Sequence, residues 1–394
     1  SFHANSNLEK LIPTEIGGVP LKTLSMSGTD LISGGSSQEL SAVLTALHKP
    51  PSDLSAAFGG NTKAETVAFL SNDVSRAPTL SVFIAASPPG RTVTTANSLG
   101  AGSLYEAIVS ANAHPGADTI GFNIPGSGVH EISVGKDGLP EITDPLTIDG
   151  YTQPGAKANT LAVGDDAIIL IRIDGTYAGD PPHHGLIISA GDSVIRGLAL
   201  TGFPTIFNGI TGEVLFYGTA VILQDKGNNL IEGNAIGLSS DELLYGYNAI
   251  GISVYSSNNT VGGVLPVQRN VISHNNVGVS IGSGASSNII LGNYMGTDPT
   301  STVEMGNADA LVVGGTATQI GGLTAEAANV ISGNFTGVYI GALATANVVE
   351  GNLIGTDATK TLDLGNSTAG VTVTGLRGDG ASGSIRAVQT DAGT

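Results

Sequence analysis

The sequence has no cysteine and no tryptophan, and only 12% of its residues are charged. Without cysteine there is no disulfide, no thiolate metal site and no sulfur nucleophile. A small secreted domain would feel that lack, whereas a long stacked core is stable without cross-links. Basic residues are scarce: 15 Lys and Arg stand against 33 Asp and Glu, giving a net charge of −18. With no basic stripe to displace phosphate counterions, nucleic acid is disfavoured as a partner. An anionic lipid surface is disfavoured for the same reason. No apolar run approaches the ~20 residues of a transmembrane helix, so no membrane span is expected. Ser1-Phe-His-Ala-Asn5 does not read as a signal peptide, and any such segment is expected to have been removed. The tail from Gly383 to Thr394 breaks off in mid-pattern, as a piece of a longer chain would.

Glycine, by contrast, is abundant: 57 residues of 394, about twice the usual share. With no three-residue period, that frequency fits tight turns between short strands. The chain also repeats itself. Asn229-Leu-Ile-Glu-Gly-Asn234 returns as Asn288-Ile-Ile-Leu-Gly-Asn293 and as Asn347-Val-Val-Glu-Gly-Asn352, at a step of 59 residues. Asn270-Val-Ile-Ser-His-Asn275 and Asn329-Val-Ile-Ser-Gly-Asn334 keep that step, as do Asn248, Asn307 and Asn366. Three markers in one register mean a solenoid.

Residues 1–94 stand outside the repeat and read as a small α/β region of unknown role. Ile16-Gly-Gly-Val-Pro20 suggests a hairpin. Apolar Leu40, Val43, Leu44 and Leu47 predict a helix over Ser36–His48, and Ser52 or Asp53 is placed to cap a second short helix after Pro51. Residues 95–394 read as the array. It is introduced by a capping helix at about 102–113, with Ser103 as cap and Leu104, Ile108 and Ala111 on one face. Regular repeats run from 229.

Gly185-Leu-Ile-Ile188, Ala220-Val-Ile-Leu223, Gly251-Ile-Ser-Val254, Gly278-Val-Ser-Ile281, Gly337-Val-Tyr-Ile340 and Gly370-Val-Thr-Val373 look like one strand drawn repeatedly. Each leads, after a polar turn, into an Asn-initiated strand. Runs of four or five alternating residues suit half-buried strands. Asparagines at the turns can bond their counterparts on the next coil. The expected fold is all-β: a parallel β-helix, right-handed by the crossover rule. Either two coils or three short ones would fill 59 residues.

Thr143-Asp-Pro-Leu-Thr-Ile-Asp-Gly-Tyr-Thr-Gln-Pro-Gly-Ala156 and Gly351-Asn-Leu-Ile-Gly-Thr-Asp-Ala-Thr-Lys-Thr-Leu-Asp-Leu-Gly-Asn366 resemble the right-handed parallel β-helix repeat proteins of bacteria, within the pectate-lyase-like superfamily. The resemblance covers about 92–394. It implies an exported or cell-surface chain, in a superfamily that includes polysaccharide lyases, hydrolases, epimerases, tailspikes and adhesins. Fold alone does not choose among them.

An enzyme on this fold needs charged residues at matching positions of adjacent coils, about 5 Å apart. The outward position of the Asn-x-Ile-x-Gly strand reads Arg196, Glu232, Ser273, Leu291, Ser332, Glu350, in which only Arg196 and Glu232 are charged neighbours. Their plainer role is a solvated salt bridge worth under about 1 kcal/mol; the other is the start of a sugar-binding groove. The resemblance to lyases implies a carboxylate cage for calcium with a basic partner, for which Asp149, Arg172, Asp174, Asp180, Asp192 and Arg196 are pieces. Asp149 and Asp174 each precede glycine, however, where aspartate ordinarily makes the turn. The Gly-His-Gly and Arg-x-Lys pattern of the hydrolases is absent. Asp180-Pro-Pro-His183-His184 could ligate a metal or supply acid and base, but adjacent histidines on an extended chain point to opposite sides. Asp298 and Asp357 recur at the 59-residue step, either as turn caps or as calcium ligands between loops.

The sequence thus predicts an exported (secreted) or cell-surface, adhesin-like scaffold that binds polysaccharide or other glycans or assembles with its own copies. It requires no cofactor, with calcium the one the residues would admit. The rival is a polysaccharide-modifying enzyme, a lyase before a hydrolase, near residues 172–232. Arg172, Asp180, His183, His184, Arg196 and Glu232 are the candidate substrate contacts.

Overall fold

Why the same short strand recurs becomes clear in the computed structural model, which describes residues 91–176, 183–208, 211–238 and 247–374, with short strands at 15–16, 19–20, 22–27, 54–61, 64–71, 81–83 and 387–388. Each coil lays down three strands. They join three parallel sheets, so residue n of one coil sits over its counterpart in the next. The first sheet runs from Arg91–Val93 through Leu146–Asp149, Val194–Arg196 and Leu230–Glu232 to Val348–Glu350 and Ala387–Val388. The second runs from His130–Ser133 to Leu353–Ile354, and the third from Leu186–Ile188 to Ala369–Val373. The chain is a parallel β-helix.

Register carries the core. In the first sheet Ile120, Ile148, Ile195, Ile231, Val261 and Ile290 lie one above the next, each essentially sealed from water. The second sheet stacks Ile132, Ile173, Leu200, Ile236, Ile272 and Met295 likewise. β-Branched side chains have few rotamers to lose on a pleated surface, so like neighbours at a ~4.8 Å step stack directly on one another.

The turns repeat as strictly. Asn229, Asn259 and Asn288 form one side-chain ladder. Asn234, Asn270, Asn293, Asn329 and Asn352 form a second, and Asn248, Asn275, Asn307, Asn334 and Asn366 a third. The markers that recur every 59 residues are alternate rungs of the second and third ladders, so each repeat is two coils. Before Asn293, Gly292 has φ +64, and a Cβ there would sit 2.1 Å from the Gly263 carbonyl oxygen; only glycine makes this corner.

The first coil is covered as expected. Helix α1, Leu104–Asn112, is capped by Ser103, whose Oγ accepts from the Glu106 N–H at 3.3 Å, and it buries Leu104, Ala107, Ile108 and Ala111. The third sheet also holds Asp309–Val313, a rung not among the strands drawn from the sequence.

Contacts divide the chain into Ser1–Pro89 and Gly90–Thr394. In the first unit Glu15–Ile16 pairs with Val19–Pro20, the expected hairpin. The helix expected after Pro51 is instead the strand Leu54–Asn61, paired antiparallel with Lys22–Ser27 and Ala64–Ser71. Leu24, Phe58 and Val67 align across these strands, so pairing partners outweighed the local cap signal. Every described element of this unit is a strand, and the helix expected over 36–48 lies outside the described residues.

Candidate functional site

The outward position at the end of the first-sheet strands gathers charge on three successive coils. Asp149 pairs in register with Arg196, and Arg196 with Glu232. Arg196 Nη2 donates to Asp149 Oδ2 at 2.7 Å, and Nη1 lies 3.7 Å from Glu232 Oε1. Gln268, in the loop of the following coil, donates from Nε2 to Glu232 Oε2 at 2.8 Å. The result is one line: Asp149, Arg196, Glu232, Gln268. The two carboxylate side chains are 12% and 9% exposed while the arginine is 43% exposed, so the acids sit under the guanidinium instead of in open solvent. Hydrogen bonding to Asp149, then the charges of Asp149 and Glu232, hold Arg196 more firmly cationic than usual despite partial burial.

Two corrections follow for the sequence reading. Ser273 and Ser332 do not belong to this line; they follow second-sheet strands, where their hydroxyls donate to the Thr297 and Thr356 carbonyls at 2.8 Å. Asp149 does belong. It makes its turn, accepting from the Tyr151 N–H at 3.0 Å through Oδ1, and binds Arg196 through Oδ2. The charged neighbours number three, not two. The missing signal has a cause: an insertion at 153–170 parts Asp149 from the next strand of its coil, so it stands 47 residues before Arg196, off the repeat.

Tyr151 sits behind the line and donates to the Gly233 carbonyl at 2.5 Å. Burial, followed by the charges of Asp165, Asp149 and Glu232, keeps its phenol protonated well beyond the ordinary range. Asp165 lies on the inserted loop, and burial pushes its carboxyl up. The loop is fastened by Arg269, which donates to the Leu161 and Ala162 carbonyls at 3.1 and 2.9 Å and stacks 4.4 Å over the Tyr294 ring. Beside this clamp is a groove of about 410 Å³ lined by Val163, Leu265, Arg269, Tyr294, Leu323 and Lys360, among others.

The remaining candidates fall elsewhere. Arg172 is in the second sheet, where it pairs with Glu131 of the preceding coil; it does not share a sheet with Arg196. Asp174 caps its turn, accepting from Thr176 N and Oγ1 at 2.8 and 2.6 Å. Asp180 lies outside the described residues. His183 Nε2 donates to the Lys136 carbonyl at 2.8 Å. His184 Nδ1 accepts from the Thr219 N–H at 3.2 Å, and its ring meets Phe216 at 4.6 Å. The two rings part, as extended backbone requires. Burial and then the neighbouring His183 lower the His184 pKa, and no metal-ligand cluster occurs among the described residues. Asp298 and Asp357 are loop caps: each takes two backbone amides on one oxygen and a threonine N–H and hydroxyl on the other, and Asp357 accepts from the Thr356 hydroxyl as well.

No protein-family model matches the chain, and no curated protein matches its sequence.

Proposed function

We propose that this β-helix is an exported or cell-surface scaffold of the pectate-lyase-like kind, whose outward first-sheet face binds a glycan along Asp149, Arg196, Glu232 and Gln268. The observation that carries the reading is the mutual tethering of those four side chains across adjacent coils. A hydrogen-bonding surface whose members already hold one another loses little freedom on binding, and its ~5 Å step suits a chain of sugar rings. Arg196 favours binding over elimination chemistry: a lyase base must give up its proton, and the two carboxylates oppose that. Retention of the full chain on acidic and neutral polysaccharides, measured by affinity electrophoresis, tests the reading. Arg196→Ala and Glu232→Ala are expected to weaken retention about tenfold, roughly the 1.4 kcal/mol of one good polar contact. Retention on nothing, with monomeric sedimentation, would sink both the glycan and the self-assembly forms of the proposal.

One feature favours the enzymatic rival, now placed at the same line and not around Arg172. Asp165, a carboxyl whose pKa burial raises, lies close enough to Tyr151 to influence it, and a carboxyl shifted in that direction beside the line is the group a general acid would be drawn from. Release of unsaturated or reducing ends from any polysaccharide, lost in Asp165→Asn, would establish that rival.

A further inference from the structure

Beyond the ends of the third-sheet strands the ladder continues for one residue per coil, through Ser189, Gln224, Tyr255 and Gly282 in turn. The amides of Gln224, Tyr255 and Gly282 donate to Ile188, Leu223 and Val254 carbonyls at 2.9, 2.7 and 2.8 Å, which places the four in one row. Glu141 stands beside the row on the preceding coil, one residue before Ile142, which bridges to Ile188. The polar members are tied together: Ser189 Oγ donates to the Glu141 carboxylate, and Gln224 Nε2 donates to Ser189 Oγ at 3.0 Å and to Glu141 Oε1 at 3.3 Å.

Tyr255 is different. It is 58% exposed and its ring lies against Gly282, where a Cβ would come within 2.7 Å of Cδ1. The next positions of the row, Gly314 and Gly341, are glycine as well; their amides continue the ladder to Ile281 and Val313 at 2.8 Å. The row therefore offers an uncovered aromatic face, a pre-tied carboxylate–hydroxyl–amide group on the coils before it, and glycine at the next three positions after it.

An exposed ring flanked by fixed polar groups has an apolar face to fill and hydrogen bonds to give. A pyranose answers both demands, because its C–H face packs on an aromatic ring while its hydroxyls reach the neighbours. One coil step, ~4.8 Å, is about the length of a sugar ring, so a unit on Tyr255 reaches Gln224. The one acidic member of the group is Glu141, which disfavours an acidic sugar. We propose that Tyr255, Gln224, Ser189 and Glu141 form a binding site for a neutral hexopyranose, separate from the first-sheet line and independent of whether that line binds anything.

Saturation-transfer NMR on the full chain, with methyl glycosides of neutral hexopyranoses and their linear disaccharides as probes, tests this. Saturation is expected on the C–H face of at least one probe. Tyr255→Ala should weaken binding about tenfold, and Gly282→Ala, which drives a methyl into the ring, should weaken it several-fold. Val303→Ala, at an exposed position outside both proposed sites, should leave it unchanged. Unaltered circular-dichroism melts identify folded variants, and Tyr255→Leu, equally apolar but not aromatic, separates stacking from simple burial by losing affinity as well. Absence of saturation with every neutral probe overturns the site, as does equal binding by Tyr255→Ala. Loss in Arg196→Ala with retention in Tyr255→Ala would overturn it while leaving the first-sheet proposal standing.

Discussion

Asn293 shows how much one side chain does at a corner of the coil. Its Oδ1 accepts from both the backbone N–H and the side-chain amide of Asn270, and its own Nδ2 donates to the Val261 and Leu291 carbonyls and to Asn329. Asn293→Ala leaves several buried groups unpaired, and urea denaturation should show a loss of about 2–4 kcal/mol, well above the usual cost of one hydrogen bond. Asn→Ala at an exposed rung-free position is the control and should cost under about 0.5 kcal/mol. Arg196 makes the same argument with charge. Removing it leaves two nearly buried carboxylates with no cation between them, so a double-mutant cycle with Asp149→Ala should show coupling of about 1–3 kcal/mol. Additive effects would mean that the line is a surface ion pair after all.

Loops and single turns follow their own chemistry. The Asp357 carboxyl loses ionised stability by burial but recovers more from the amides of Leu362, Thr361 and Thr359 and from the Thr359 hydroxyl, and its pKa falls to about 2. A depressed carboxylate stabilises the fold above its unfolded value near 4 and ceases to do so as pH drops toward 2. The acid limb of a thermal-stability profile should therefore shrink in Asp357→Asn, and EDTA should not move the melting point, because all the donors around Asp357 come from the loop itself. His184 works in the opposite range. Its lowered pKa means that the unfolded chain binds a proton more readily, so stability should fall as pH drops below about 6.5. His274 is lowered by burial in the same sense; the slope should be reduced, not abolished, in His184→Gln.

At this scale the limits of legibility are plain. The repeat, the strand faces and the asparagine ladders could be read because one residue type returns at one register, and a period survives any uncertainty about boundaries. Asp149 could not be placed, since its partner lies across an insertion of irregular length. The row from Ser189 to Tyr255, with Glu141 beside it, was hidden for a related reason: its members are of different types, and only the pairing of strands aligns them. Leu54–Asn61 went wrong where a capping pattern was judged without its neighbours.

The whole molecule is counted in pairs of coils. Loops of one kind interrupt alternate coils, as Leu265–Arg269 and Thr324–Ala328 do between the first and second sheets, while the Asp298 and Asp357 loops interrupt the others. Excising residues 288–346 joins Ser287 to Asn347 with every ladder in step, and the shortened chain should fold, melting at most a few degrees lower. Excising one coil, 288–317, stacks two like loops, Leu265–Arg269 and Thr324–Ala328, on adjacent coils and should leave a chain that melts broadly or aggregates.

The asparagine ladders also give the molecule a direction. In all three, the bonds between asparagine side chains run from the Nδ2 of one coil to the Oδ1 of the following coil, never the reverse. Strand dipoles in a sheet largely cancel, but these amides all lie head to tail along the axis, and their dipoles add. The solenoid is thus electrically vectorial, its oxygens facing the early coils and its amide protons the late ones, a polarity that a stack of otherwise near-identical coils would lack.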